Sequence, residues 1–276
     1  MHSLPSTRSA GLRFQGPHAL RSRQTASGRG GRVTCRIQNP EKLAVPFDAG
    51  PGDAPPDYTE VDANPVNKAI RTEFRRQLVL ELGVDSEVEE YAGIIDLTRR
   101  LNSTDYTPRE TQLKSIRILR AMFPKWLPGA FRVVFSQPFP RISCQLNAWV
   151  TAGLSKWLMG PSKLNDVEID GGQVAPGHGV AVERCRYLEQ TGCAACCINS
   201  CKVPTQEFFV KEMGLPLTMT PNYEDFSCQF SFGLTPPPEA EDEVFATPCF
   251  TQCPTKRRIQ HDCKGIQPNL PEPEAD

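Results

Sequence analysis

Cysteine placement constrains this chain more than any other feature, because nine of its eleven cysteines lie between residues 185 and 263. Such a density in a short stretch is typical of a disulfide-bonded scaffold or of a metal site. Disulfides need an oxidising compartment, and the N-terminus lacks the apolar segment of a secretory signal. The sequence therefore favours metal binding by thiolates, with disulfides and reduced free thiols as the alternatives.

The spacing of five of these cysteines predicts the metal ligands. On a helix, Cys193, Cys197 and Cys201 lie within about 80° of one another, so that three sulfurs project to one side. Cys249 and Cys253, with a proline directly after the second, repeat the ending of bacterial ferredoxin motifs. We expect these five residues to bind iron, as a non-haem centre or an iron–sulfur cluster. Structural zinc would accept the same thiolates and stays an alternative.

The first forty residues differ in charge from the rest of the chain. They hold seven arginines and no lysine or acidic residue, so they carry +7 while the remainder carries −8. This composition is typical of an organellar transit peptide, which we assign to residues 1–35 with the chloroplast as the expected destination. A mitochondrial address and a plain basic arm are the alternatives. The acidic remainder offers no basic face for phosphate groups, which argues against nucleic acid as a partner.

Proline content and hydrophobic periodicity divide the remaining chain. The Pro-rich residues 36–66 predict a disordered linker, and residues 67–160 predict a helical region. Residues 161–265 are expected to form a Cys-rich domain, followed by a disordered tail over 266–276. Together these segments predict an α+β fold, in which a helical N-terminal half packs on a Cys-rich C-terminal part with a small antiparallel sheet.

Local signals mark the ends of three helices in the helical region. Gly83 is expected to end the first helix, in which an apolar residue recurs every four positions from Ile70 to Leu82. The second helix should begin at Ser86 and Glu89, and the third at Thr107 and Glu110, because both pairs have the spacing of a capping box.

Residues 127–160 are unusually apolar, and Pro138 and Pro140 divide them into two pieces. Periodicity cannot separate a buried apolar face from an exposed one. These residues form either core helices, or a face that contacts a bilayer or lines a tunnel for an apolar ligand. No run of 18 apolar residues is present, so we expect any access to a membrane to be peripheral.

The C-terminal part also carries strand signals. A hairpin is expected over 167–182, and single strands over 215–219 and 227–232. Cys228 alternates with phenylalanines on the last strand, which favours a core thiol over a metal ligand. His178 lies in a glycine-rich stretch and is interpreted as a turn residue rather than a ligand.

Five stretches of the C-terminal part resemble one known family. They are Trp157-Leu158-Met159-Gly160-Pro161, Glu183-Arg184-Cys185-Arg186-Tyr187-Leu188-Glu189, Cys193 with Cys197-Ile198-Asn199-Ser200-Cys201-Lys202-Val203-Pro204-Thr205-Gln206, Met213-Gly214-Leu215-Pro216-Leu217 and Pro221-Asn222-Tyr223-Glu224-Asp225-Phe226-Ser227-Cys228-Gln229-Phe230. They resemble the plastid β-carotene isomerase family of strigolactone biosynthesis, called Dwarf-twenty-seven. The resemblance is densest over 157–254.

The resemblance implies an iron-dependent carotenoid cis/trans isomerase in the chloroplast, which interconverts all-trans- and 9-cis-β-carotene on the route to strigolactone-like apocarotenoids. It implies a carotenoid substrate, with peripheral contact to a plastid membrane, and it matches Cys193, Cys197 and Cys201 to the family's cysteines. It names no catalytic residue. The alternative is a plastid interaction or electron-transfer module that zinc or an iron–sulfur cluster stabilises, without isomerase activity.

Overall fold

The computed structural model describes residues 56–103 and 105–246, and it has two layers. The helices are α1 (Thr59–Ala63), α2 (Pro65–Leu82), α3 (Glu90–Leu101), α4 (Pro108–Ala121), α5 (Leu127–Phe131), α6 (Pro140–Leu154), α7 (Lys156–Met159), α8 (Arg186–Thr191), α9 (Ala194–Cys197) and α10 (Val203–Phe208). The strands are β1 (Ser162–Ile169), β2 (Gln173–Val182), β3 (Leu217–Pro221) and β4 (Cys228–Phe232). π-helical turns cover Arg132–Ser136, Ile198–Lys202 and Phe209–Met213, and a 3₁₀ turn covers Glu243–Ala246. The predicted α+β fold with a small antiparallel sheet is confirmed.

Several predicted segments lie outside the described residues. They are the transit peptide over 1–35, most of the linker over 36–66, and the tail over 266–276. The end of the linker is corrected, because α1 begins at Thr59 and α2 begins at Pro65. Asn64 caps α2: its side-chain oxygen accepts from the backbone N–H of two residues in the first turn, at 2.9 and 3.2 Å.

Two of the three predicted helix ends are confirmed. Gly83 ends α2 in the left-handed conformation with φ 72°, and Thr107 and Glu110 form the capping box of α4. The capping box at Ser86 and Glu89 is wrong, because α3 begins only at Glu90. Contacts of Arg75 account for the later start of α3. Its guanidinium donates to the carbonyl oxygens of Ser86 and Val88 at 2.7 and 2.9 Å, which keeps this segment out of the helix.

The sheet has the order β1-β2-β4-β3, and all its neighbours are antiparallel. One face is apolar and buried against the helices, with Val180, Val182, Phe230 and Leu217 in its centre. The expected hairpin is confirmed as β1 and β2. The turn interpretation of His178 is wrong. This residue lies on β2 and is buried, with Nδ1 3.1 Å from the carbonyl oxygen of Phe232.

The core runs without a break from the helical half into the Cys-rich part. Ile94 and Leu97 of α3 belong to the same buried cluster as Trp157, Val180 and Leu217. At the surface of this cluster, Arg186 of α8 lies between the rings of Tyr58 and Tyr91, with its guanidinium carbon 4.2 and 3.7 Å from the ring centroids. The same guanidinium donates two bonds of 2.8 Å to Asp62 of α1. The predicted packing of the two halves on each other is therefore confirmed, and within the described residues they share one core.

Within the described residues, no helix is both long enough and apolar enough to cross a membrane.

Candidate functional site

The Cys-rich segment is a broken helix rather than the continuous one that the spacing suggested. Gly192 ends α8 with φ 59°, and Cys193 follows with an extended backbone as the N-cap of α9. A π-helical turn then carries Cys201. Pro204, near the start of α10, has no N–H to donate to the carbonyl four residues before it, which favours this wider turn. The expectation that Cys193, Cys197 and Cys201 lie along one side of a single regular helix is therefore corrected.

Four thiols instead come together from three parts of the chain. Cys185 stands at the start of α8, Cys197 ends α9, Cys201 lies in the π-helical turn, and Cys228 begins β4. Cys185, Cys197 and Cys228 are buried, as expected for Cys228, and the negative charge of an ionised Cys185 would raise the pKa of the other three. We call these four residues the thiol cluster. Sequence spacing could not show that Cys185 and Cys228 join it, because sheet pairing and a turn between elements bring them there.

Burial of these thiols decides their protonation. It raises the pKa of Cys185 to about 11 and that of Cys201 to about 12. It also raises the pKa of Cys197 and Cys228 well above the ordinary value, with a further increase from the neighbouring thiols. Without a bound cation, the thiol cluster is therefore neutral at physiological pH, and a metal would have to displace protons to bind there.

Polar side chains interact with thiols of the cluster. The hydroxyl of Tyr223 contacts the Cys197 thiol and offsets part of the effect of burial on its pKa. Lys202, the residue after Cys201, forms an ion pair of 2.6 Å with Asp242, and both side chains are buried. The positive charge of Lys202 lowers the pKa of Cys228 against the larger effect of burial. The ion pair joins the loop after β4 to the π-helical turn.

The predicted metal ligands can be placed only in part. Cys249 and Cys253 lie outside the described residues. Across residues 56–103 and 105–246, no group of three His, Cys, Asp or Glu side chains converges well enough to hold a metal ion. The described residues alone therefore do not fit a metal, and the ligand set Cys193, Cys197, Cys201, Cys249 and Cys253 stays a prediction.

One surface groove lies along α10, the helix that follows the π-helical turn with Cys201. It has a volume of about 260 Å³ and lies between α10 and the loop after β4, lined by Val203, Gln206, Glu207, Pro237 and Asp242 among others. This volume is below the range of roughly 300–1,000 Å³ that is typical of ligand pockets. Its lining is mainly apolar but includes charged side chains such as Glu207 and Asp242, and it is too small for a long hydrocarbon, so we do not assign the carotenoid to it.

The buried thiols predict an alkaline loss of stability in the metal-free protein. Because the pKa of Cys185 is about 11 in the folded state, the folded chain keeps a proton that the unfolded chain releases above about pH 9. The free energy of unfolding therefore has its full value below about pH 9. Above that pH it falls by about 1.4 kcal/mol per pH unit for each buried thiol. Urea unfolding with reductant and chelator, at several pH values between about 8 and 10, measures this slope.

The matched variant for this measurement is Cys185→Ala. It removes one of the titrating groups. The slope of its unfolding free energy against pH should therefore be smaller than that of the unmodified chain by about 1.4 kcal/mol per pH unit. Equal slopes for both proteins would show that this thiol ionises as readily in the folded chain as in the unfolded one.

The Cys-rich part is similar to a known family of domains. Residues 157–241 match the family model described as Beta-carotene isomerase D27-like, C-terminal. The chain is 35% identical over 141 residues to "Beta-carotene isomerase D27, chloroplastic" of Medicago truncatula, and 30% identical over 172 residues to the protein of the same name from Arabidopsis thaliana.

These alignments cover 51% and 62% of this chain, and 54% and 63% of the two relatives. No solved structure matches the chain. All four residues of the thiol cluster fall inside the matched range. The chain thus spans about half to under two thirds of the length of these relatives, and residues 157–241 are similar to the D27-like C-terminal domain family.

Proposed function

We propose that the chain is a plastid carotenoid cis/trans isomerase that interconverts all-trans- and 9-cis-β-carotene. The thiol cluster carries the proposal, because it places four neighbouring cysteines inside the domain that matches the β-carotene isomerase model. Both curated relatives are named as chloroplastic β-carotene isomerases, which supports this reaction and this location. The arginine-rich residues 1–35 support the location independently.

We also propose that the substrate reaches the protein from a plastid membrane, through peripheral contact. A carotenoid is a long hydrocarbon that dissolves in lipid, so a protein that uses it needs an apolar surface at the bilayer. Residues 126–154 supply such a surface, since large apolar side chains are exposed along this stretch. The bilayer or tunnel interpretation of 127–160 is therefore favoured over a purely buried one.

The metal remains part of the proposal. We propose iron, bound by Cys193, Cys197 and Cys201 with Cys249 and Cys253. The support is positional: the 3₁₀ turn Glu243–Ala246 is the last described segment before Cys249, and its Val244 packs on Ile198 and Val203 beside Cys197 and Cys201. Because the described residues alone do not fit a metal, we derive no chemical step through it.

A pair of cysteine variants tests this proposal. Cys201→Ser replaces a thiol of the cluster, and Cys144→Ser replaces a buried thiol on α6 outside it. In the full chain, Cys201→Ser should lower iron content and the rate of β-carotene isomerisation together, by at least the roughly 10-fold that loss of a residue behind a ligand already costs. Cys144→Ser should retain both. The measurements are metal analysis of anaerobically purified protein and chromatographic separation of carotene isomers.

Two results would count against the proposal in different ways. If the metal-free protein isomerised β-carotene at the full rate, iron would be ruled out as a requirement and the isomerase proposal would stand. Bound zinc or an iron–sulfur cluster, with no change in the isomer ratio under any condition, would leave a metal-stabilised module without isomerase activity.

A further inference from the structure

Helix α6 is amphipathic, but its large apolar residues lie on the side that faces outward. The residues that it buries are small or polar, and they are Ser143, Cys144, Asn147, Ala148 and Ala152. Its exposed residues include Arg141 and Gln145, but the large ones among them are mostly apolar. They are Ile142, Leu146, Trp149 and Leu154, continued by Phe139 directly before the helix. Ile142, Leu146 and Trp149 are spaced by four and three positions, so they lie along one side of the helix. In a water-soluble surface helix the apolar side normally faces the core.

The exposed apolar side continues onto the segment before α6. Trp126 precedes α5, and Val133, Val134 and Phe135 lie in the π-helical turn that follows it. Trp126, Val133 and Trp149 are exposed to 69%, 64% and 65%. Nine of the seventeen exposed large apolar side chains in the described part of the chain fall between residues 126 and 154. We call these nine residues the apolar face: Trp126, Val133, Val134, Phe135, Phe139, Ile142, Leu146, Trp149 and Leu154.

The charged residues in the stretch of chain that carries the apolar face have one sign. No aspartate or glutamate occurs from residue 111 to residue 165, although the whole chain has a net charge of −1. Lys125, Arg132, Arg141 and Lys156 lie within or next to the apolar face in sequence, and all four are exposed. None of them forms an ion pair with any residue that the structure describes. Glu212 is an acidic residue on a neighbouring element, the π-helical turn that packs against α5, and Arg120 pairs with it. An apolar surface whose own stretch of chain carries only cations is complementary to a bilayer that carries anionic headgroups.

We propose that the apolar face docks on an anionic lipid bilayer, with its aromatic and aliphatic side chains at the boundary between headgroups and acyl chains. This inference deepens the proposed function, because it names the surface and the lipid charge through which the substrate is reached. A second copy of the chain fits less well. A two-fold interface would bring the same four cations toward one another on both partners.

Vesicle binding tests the docking surface without any carotenoid. The full chain is mixed with vesicles of phosphatidylcholine alone, or of an equal mixture of phosphatidylcholine and phosphatidylglycerol, and sedimented. We expect stronger binding to the anionic vesicles, and an affinity reduced about tenfold or more in Ile142→Ser/Trp149→Ser. Leu80→Ser, which removes a similarly exposed apolar side chain on α2, is the matched control and should bind as the unmodified chain does.

Charge reversal tests the second half of the proposal. Arg141→Glu should weaken binding to the anionic vesicles by roughly fivefold or more, and added salt should weaken it further. Lys68→Glu is the matched control, since Lys68 is exposed on α2. Lipids with brominated acyl chains should quench tryptophan fluorescence of the bound protein, and Trp149→Phe should reduce this quenching.

Three outcomes would overturn the proposal. The first is no binding to anionic vesicles. The second is binding that Ile142→Ser/Trp149→Ser leaves unchanged, without quenching, which would assign the contact to the arginine-rich first forty residues. The third is a dimer in sedimentation velocity that the same double variant dissociates, which would make the apolar face an interface between copies. Since none of these readouts involves isomerisation, the docking surface and the proposed reaction can fail separately.

Discussion

Replacing Lys202 by methionine is expected to lower the free energy of unfolding by about 3–5 kcal/mol. Lys202 and Asp242 form an ion pair of 2.6 Å, and their side chains are only 3% and 9% exposed. The substitution keeps most of the aliphatic volume and removes the cation. Asp242 is then left as a buried carboxylate without its partner, and this uncompensated charge is the main cost. Urea unfolding at neutral pH measures the change.

Two further variants separate the charge effect from packing. In Lys202→Met/Asp242→Leu no buried charge remains, so the double variant should be more stable than Lys202→Met alone. Lys211→Met is the matched surface control, because Lys211 pairs with Glu207 but is 64% exposed, and its removal should cost about 1 kcal/mol or less. If Lys202→Met cost no more than this control, the ion pair would contribute nothing beyond a surface contact.

A fragment of residues 157–276 is expected to lack a cooperative unfolding transition, although it contains the whole matched domain. Trp157, Val180 and Leu217 belong to a buried cluster that Ile94 and Leu97 of α3 complete. Removing the helical half exposes this cluster, and each large core side chain that loses its burial forfeits about 1.5–3 kcal/mol. The summed loss exceeds the stability of about 5–15 kcal/mol that is typical of a domain.

The comparison for this fragment is residues 56–276, which retain the shared core and should unfold cooperatively. Circular dichroism during urea unfolding distinguishes the two fragments. A cooperative transition of the shorter fragment, with a midpoint close to that of residues 56–276, would show that the Cys-rich part is an independent domain.

The elements that the sequence predicted well are those whose signals are local. Gly83 ends α2 because a left-handed residue is needed there, and Thr107 with Glu110 caps α4 within a single turn. The same kind of signal failed at Ser86, where Arg75 from another helix holds two carbonyl oxygens. Helix-end prediction therefore failed at Ser86, where a guanidinium from another helix holds carbonyl oxygens of the expected first turn.

The candidate site was likewise predicted only in the part that depends on local sequence spacing. Cysteine spacing drew attention to Cys197 and Cys201, and both lie in the thiol cluster. Cys185 and Cys228 were not predicted to join them, because these two lie 43 positions apart in the chain. The sequence also could not predict that the apolar face points outward. The pattern of α6 shows two different sides, but only the packing of α6 on β2 shows which of them is buried.

By itself, the sequence determined the helices with local caps, the antiparallel strands, the contrast in charge between the first forty residues and the rest, and the resemblance of residues 157–254 to a carotene isomerase family. The tertiary structure alone decided which thiols are neighbours, how far burial raises their pKa, and which side of α6 faces outward. The physical reason is that caps and periodicity depend on residues a few positions apart. Burial and electrostatic coupling depend on which distant residues the fold brings together.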